Sequence, residues 1–81
     1  MNPESKISKL LLYLYLNKGK KCTREEIIEN TGIPVKDLHI YYVRTSKYVR
    51  RDETKKYFWF KIESEPYIRK ILMNTYPELN I

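Results

Sequence analysis

Hydrophobic residues recur at helical spacing near the start of the chain, where a helix is predicted over residues 3–17. Asn2-Pro3-Glu4 favours its start, because asparagine can cap a helix, proline suits the first turn and an acidic side chain suits the positive end of the helix dipole. The positions assigned to the core are Ile7, Leu10, Leu11 and Leu14. A second apolar strip on the opposite side contains Leu12, Tyr13 and Leu16. This helix must therefore be covered on two sides.

A second helix, a sharp turn and a third helix follow. Thr23 and Glu26 have the spacing of a capping box, in which the threonine hydroxyl accepts a hydrogen bond from the amide three residues later. Gly32 ends the second helix because it tolerates the left-handed conformation of a C-cap, and Pro34 suits the first turn of the next helix. The predicted helices span residues 23–31 and 34–46. Together they form a helix-turn-helix.

The third helix has a core-facing side and a cationic side. The core side carries Val35, Leu38, Tyr42 and Thr45, with His39 and Ser46 at its edge. The other side carries Lys36, Asp37, Ile40, Tyr41, Arg44 and Lys47. Arginine can hydrogen-bond a guanine edge twice, lysine and tyrosine reach phosphates, and isoleucine can contact a thymine methyl group. These side chains are expected of a helix that reads a DNA groove.

Beyond this helix the period changes from helical to alternating, which predicts two strands joined by a polar hairpin tip. The predicted strands span residues 47–52 and 56–62. Phe58, Phe60 and Ile62 are assigned to the core face, which turns Trp59 outward. The reverse arrangement, or cover of Trp59 by the C-terminal segment, stays equally open. Ser64-Glu65-Pro66 then starts a last helix, predicted over residues 65–76.

The net charge of the chain indicates which class of partner it binds. The formal net charge is +6 and the isoelectric point is about 9.5. The excess lies mainly in residues 44 to 61, which carry seven cationic side chains against two acidic ones. A polyanionic partner is therefore favoured. The chain lacks Ala and Gln, and its many Lys, Ile, Tyr and Asn residues are typical of an A+T-rich genome. Richness in Lys, Glu and Tyr without Gln leans towards a thermophilic source.

The sequence contains no pattern typical of a catalytic, metal-binding or cofactor-binding site. Cys22 is the single cysteine, so it forms no internal disulfide and is either buried or cross-links two subunits. His39 is the single histidine, and neither zinc-ligand spacing nor a glycine-rich phosphate loop occurs. We expect no enzyme activity, no metal, no cofactor and no small-molecule ligand. With no secretory signal or long apolar run, a cytoplasmic, DNA-associated protein without a membrane anchor is expected.

The order helix, helix, turn, helix, strand, tip and strand resembles the winged helix-turn-helix family over residues 3 to 62. TGIP at the turn and the basic hairpin RRDETKK carry the resemblance. It implies an α+β fold of three helices plus a two-stranded β-hairpin wing, with an added C-terminal helix in a single domain over 1–81. Compact chains of this kind are similar to small transcription regulators of archaea and their viruses.

In that family the third helix enters the major groove and the wing lies on the backbone or in the minor groove. The resemblance implies groove contacts from Lys36, Tyr41 and Arg44, and wing contacts from Arg50, Arg51, Lys55 and Lys56. A sequence-specific regulator that binds double-stranded DNA is the leading hypothesis. The alternative is a winged-helix protein-interaction module in a transcription or replication assembly.

A symmetric homodimer is also expected, because apolar side chains remain after the core has been assigned. The predicted interface contains Leu12, Tyr13, Leu16, Met73 and Tyr76. A two-fold axis would set two third helices about 34 Å apart, as needed for successive major grooves.

Overall fold

Four α-helices and three short antiparallel strands follow one another along residues 2–80, the part of the chain that the computed structural model describes. The helices are α1 Lys6–Leu16, α2 Arg24–Thr31, α3 Leu38–Arg44 and α4 Glu65–Thr75. The strands are β1 Cys22–Thr23, β2 Val49–Arg51 and β3 Tyr57–Phe60. Single 3-10 turns, Val35–Asp37 and Ile62–Ser64, precede α3 and α4. The α+β class is thus confirmed.

Helix α1 starts later than predicted, at Lys6 instead of residue 3. Ser5 is the N-cap, and its Oγ accepts a hydrogen bond from the Ser8 amide at 3.1 Å. Asn2 caps a separate turn, in which its Oδ1 accepts from the Glu4 amide at 2.9 Å. Two potential caps compete here, and the serine that lies nearer to the apolar stripe starts the helix. The predicted core positions Leu10, Leu11 and Leu14 are buried, Ile7 is half-buried, and Tyr15 is an additional core residue.

The capping residues predicted at the two ends of α2 are found in the structure. Thr23 Oγ1 accepts from the Glu26 amide at 3.1 Å, which confirms the cap. Gly32 ends α2 with a φ of 75°, and its amide donates to the Ile28 carbonyl at 3.0 Å. Ile33 is fully buried just beyond the glycine. The chain direction therefore changes where the predicted turn stands.

Helix α3 proper is shorter than the predicted 34–46. Pro34 is extended, no side chain caps the segment, and a 3-10 turn precedes the first α-helical residue, Leu38. In this tighter turn Val35 points away from the core and is 63% exposed, so its assignment to the core was wrong. Leu38 and Thr45 are buried as predicted, and Tyr42 is half-buried. Thr45 Oγ1 closes the helix by donating to the Tyr41 carbonyl at 2.8 Å.

The hairpin of β2 and β3 is confirmed, and it belongs to a three-stranded sheet in the order β1-β3-β2. Across the hairpin, Val49 pairs with Phe60, Arg50 with Trp59, and Arg51 with Phe58. The first strand was not predicted, since two residues cannot display an alternating pattern. It pairs Cys22 with Phe58 and Thr23 with Tyr57 on the other edge of β3.

The core lies between α1, α4 and one face of the sheet, and buried side chains of the helix-turn-helix complete it: Ile27, Ile33 and Leu38. Phe58 and Phe60 are buried there as predicted. Ile62 was wrongly assigned to this face, because the strand ends at Phe60 and Ile62 enters a 3-10 turn with 64% of its surface exposed. Tyr15 and Phe60 pack edge to face with their ring centres 5.6 Å apart.

Helix α4 starts and ends within a residue of its prediction. Its buried positions are Ile68, Leu72 and Thr75, and Ile71 is half-buried. Pro66 occupies its first turn, as the sequence indicates. Within residues 2–80, no helix is both long enough and apolar enough to span a bilayer.

Candidate nucleic-acid interface

The solvent-facing side of α3 combines cations with exposed apolar side chains. Lys36 lies in the 3-10 turn that leads into the helix, and Arg44 is its last residue; both are exposed. Ile40 and Val43 lie between them in the helix and are also exposed. Val43 was not a predicted site residue, although its helical position beside Ile40 and Arg44 could have indicated it. This surface can therefore offer charge and methyl groups together.

Two other candidates on α3 are less accessible. Asp37 is half-buried at the end of the 3-10 turn. Tyr41 is half-buried against the core, with the Arg44 guanidinium 5.9 Å from its ring centre. A groove contact by Tyr41 would involve the edge of its ring and its hydroxyl.

Arg51 connects the hairpin to α3. Its Nη1 lies 3.0 Å from His39 Nδ1, and its guanidinium lies 4.2 Å above the Tyr42 ring. Since a guanidinium only donates hydrogen bonds, His39 Nδ1 is the acceptor in this contact. Tyr42 in turn packs edge to face on Phe58. The structure thus gives Arg51 an internal role that the sequence did not indicate.

The hairpin tip is ordered by Asp52. Its carboxylate accepts hydrogen bonds from the Thr54 hydroxyl and from the amides of Lys56 and Tyr57. The hydrogen bond from the Thr54 hydroxyl is the main cause of a lowered Asp52 pKa; desolvation opposes it, and hydrogen bonds from backbone amides lower the pKa further. Lys55 is left-handed, with a φ of 64°. Lys55 and Lys56 are both exposed, so the tip presents two cations on a fixed backbone.

The predicted cations of the hairpin do not all face the same way. Adjacent residues of a strand point to opposite faces of the sheet, and Arg51 shares the core face with its partner Phe58. Arg50 therefore lies on the opposite face, beside its partner Trp59. Trp59 is half-buried, and Lys21 Nζ lies 4.7 Å above its ring. Lys47 lines a cavity together with Lys61, whose Nζ donates to the Lys47 carbonyl at 3.0 Å.

A polar cluster around Glu26 was missed at the sequence level. Its carboxylate accepts from the Tyr13 hydroxyl at 3.0 Å and the Thr23 hydroxyl at 3.3 Å, and it pairs with Lys20 Nζ at 3.1 Å. Desolvation acts to raise the pKa of Glu26, but hydrogen bonds from Lys20, Tyr13, Cys22 and Thr23 outweigh it and lower the pKa to about 2. The hydrogen bond between Tyr13 on α1 and Glu26 on α2 joins two separate helices, so no local sequence pattern predicts it.

Cys22 lies beside the same cluster, and its burial and protonation can be read from the structure. The side chain is fully buried, as one of the two sequence alternatives proposed. Burial, and then the neighbouring Glu26 carboxylate, raise the pKa of its thiol to about 11. A buried, protonated thiol is a poor candidate for a cross-link between subunits.

Most of the predicted dimer residues border one cavity. A cavity of about 580 Å³ runs along α1 beside the end of α2, and its lining includes Leu12, Tyr13, Leu16 and Tyr76. Leu16 is 57% exposed, whereas the Tyr13 and Tyr76 hydroxyls already donate to Glu26 and to the Pro3 carbonyl. Met73 is 45% exposed and does not line this cavity.

Comparison with known proteins finds no matching family model and no significant match among curated proteins or solved structures. Across the described part of the chain, no three acidic, His or Cys side chains are grouped to hold a metal ion. The geometry of the exposed surfaces therefore carries the functional argument.

Proposed function

We propose that the chain is a winged helix-turn-helix domain that binds double-stranded DNA sequence-specifically and regulates transcription. In this proposal α3 enters the major groove and the β2–β3 hairpin, as the wing, contacts the neighbouring backbone. The observation that carries it is the Arg51 bridge. Because Arg51 joins the hairpin to His39 and Tyr42 on α3, the cations of α3 and those of the hairpin tip, Lys55 and Lys56, can act on one duplex at the same time. Arg50 lies on the other face of the sheet and is not assigned to the duplex.

Base recognition falls to the exposed side of α3. Arg44 is the candidate for bidentate hydrogen bonding to a guanine edge, and the neighbouring Ile40 and Val43 can contact thymine methyl groups. Lys36, Lys55 and Lys56 are candidates for phosphate contacts, which neutralise charge and release counterions without reading sequence. Arg44 and Lys56 therefore have separable roles.

A binding-site selection from random duplex DNA tests this function, followed by titrations of variants at several salt concentrations. Arg44→Ala should cost about 1–3 kcal/mol on the selected site and relax discrimination at one base pair. Lys56→Ala should weaken binding to selected and random DNA alike and reduce the salt slope by about 0.9. Lys70→Ala, which removes an exposed cation from α4, is the control and should change neither. Failure to enrich any sequence would contradict the proposal.

We further propose that two copies associate through the cavity beside Leu16. The support is the exposed leucine, with Leu12 lining the same cavity. Burial of such an apolar patch against its own two-fold copy would form a self-complementary interface.

A further inference from the structure

Three adjoining cavities run along the sheet face that carries Trp59. The first, of about 270 Å³, lies between Lys21 and Trp59, and the second, of about 400 Å³, between Trp59 and Arg50. The third, of about 390 Å³, lies between Lys47 and Tyr67. Neighbouring cavities share lining residues: Trp59, Phe60 and Ile62 for the first two, and Lys61 and Glu63 for the last two. Together they form one groove, called here the Trp59 groove.

The Trp59 groove is strongly cationic. Its lining includes the cations Lys20, Lys21, Lys47, Arg50 and Lys61, against the single acid Glu63. Only Lys20 among these cations has its charge offset by an ion pair, with Glu26, in the described part of the chain. Such a groove concentrates field lines and favours a polyanion over a neutral or cationic partner.

Aromatic rings alternate with these cations along the groove. Trp59 is half-buried near one end, and Tyr67 is 70% exposed at the other. Tyr48 lines the same cavity as Tyr67. Rings interleaved with cations bind single-stranded nucleic acid, because unpaired bases offer ring faces for stacking while the cations follow the phosphates. Paired bases of a duplex present only their edges in the grooves.

We propose that the Trp59 groove binds single-stranded DNA, with bases stacked on Tyr67 and Trp59 and phosphates held by Arg50 and Lys61. The surface is separate from the duplex-binding side of α3, because Arg50 and Arg51 lie on opposite faces of the sheet. The choice of DNA over RNA rests on the duplex function proposed above. The groove's preference for a single strand does not depend on it.

Trp59 is the only tryptophan in the chain, so its fluorescence reports directly on the groove. An oligothymidylate of about 12 nucleotides should quench it in a salt-dependent titration. Tyr67→Ala should weaken binding about fivefold to a hundredfold, as expected for the loss of one stacked base, whereas Tyr67→Phe should bind normally. Because Tyr67 is mostly exposed, both variants should melt like the parent.

Charge reversals on the two surfaces separate the two proposals. Arg50→Glu should lose oligothymidylate binding and retain duplex binding, and Lys36→Glu should do the opposite. If Lys36→Glu leaves duplex binding intact, the duplex proposal fails. The effect of Arg50→Glu on oligothymidylate binding then still tests the Trp59 groove. Equal losses of oligothymidylate binding in both variants would show a net-charge effect and overturn the groove.

Two further ligands complete the experiment. Polyglutamate of similar length and charge should bind much more weakly than the oligothymidylate, and equal binding would assign the groove to an acidic protein segment instead. An oligouridylate of the same length should bind no more tightly, and a preference for it would overturn the assignment to DNA. Absence of quenching at low salt would also refute the proposal.

Discussion

Replacing Glu26 by glutamine tests the polar cluster that joins α1 to α2. The substitution keeps the size of the side chain but removes the charge that Lys20 pairs with. A glutamine also has one acceptor oxygen, whereas the carboxylate accepts from Tyr13 on one oxygen and from Thr23 on the other. The amide capped by Thr23 is unaffected, so the helix start itself should persist.

The expected loss of stability follows from the Glu26 pKa. A carboxyl pKa lowered from its ordinary 4.5 to about 2 corresponds to about 3 kcal/mol before solvent screening. The side chain is 25% exposed, and its contacts include an ion pair with a mostly exposed lysine. Screening reduces the expected loss to about 1–2 kcal/mol at neutral pH. For a domain of this size, each kcal/mol lowers Tm by about 4–8 °C.

The pH dependence distinguishes this mechanism from a simple packing defect. Because the folded-state pKa is depressed, the charged carboxylate stabilises the fold above pH 4.5, and that contribution is lost as the pH falls from 4.5 towards 2. Thermal melts followed by circular dichroism at pH 7 and pH 2.5 should show a large Tm difference between parent and Glu26→Gln at pH 7. The difference should be small at pH 2.5.

The matched control is Glu29→Gln, which removes an exposed carboxylate from the same helix. It should change Tm little at either pH. A Tm difference for Glu26→Gln that is the same at pH 7 and pH 2.5, or absent at pH 7, would refute the assigned role of the carboxylate.

Three other predictions concern the turn, the dimer and the hairpin. Gly32→Val should lower stability by about 1–2 kcal/mol in thermal melts, because φ is 75° and a valine there is strained; an unchanged Tm would contradict the observed cap. If the proposed dimer forms, Leu16→Glu should make the protein monomeric in sedimentation at micromolar concentration, whereas Val35→Glu, similarly exposed elsewhere, should not; a monomeric parent would exclude the proposed dimer. Arg51→Ala should cost about 1 kcal/mol through the lost Tyr42 and His39 contacts, and Arg50→Ala should cost little; equal Tm values would contradict the bridge.

The features that the sequence predicted correctly are those encoded within a few neighbouring residues. The Thr23 cap and the Gly32 C-cap depend on side-chain and backbone chemistry within one helical turn, and both were predicted correctly. The buried pair Phe58 and Phe60 follows from strand alternation alone. One error occurred at the start of α1, where two residues, Asn2 and Ser5, could each cap the helix. Another occurred at Ile62, where the strand alternation was extended beyond the end of β3.

The features that sequence reasoning missed are long-range. Strand β1 exists because Cys22 and Thr23 reach the free edge of β3, and the Glu26 cluster exists because α1 brings Tyr13 alongside α2. Neither pairing leaves a periodic trace in the chain. Such contacts are determined by the packing of whole elements against one core.

Arg50 and Arg51 show how this limit affects a functional prediction. In the sequence they are adjacent cations of one basic hairpin, and the resemblance gave them the same role. The register with β3 separates them, since Arg51 pairs with buried Phe58 and Arg50 with half-buried Trp59. A shift of one residue would exchange their faces. The register is determined by Val49, Phe58 and Phe60, which must all be buried. The core residues of the hairpin thus decide which arginine supports α3 and which one faces the Trp59 groove.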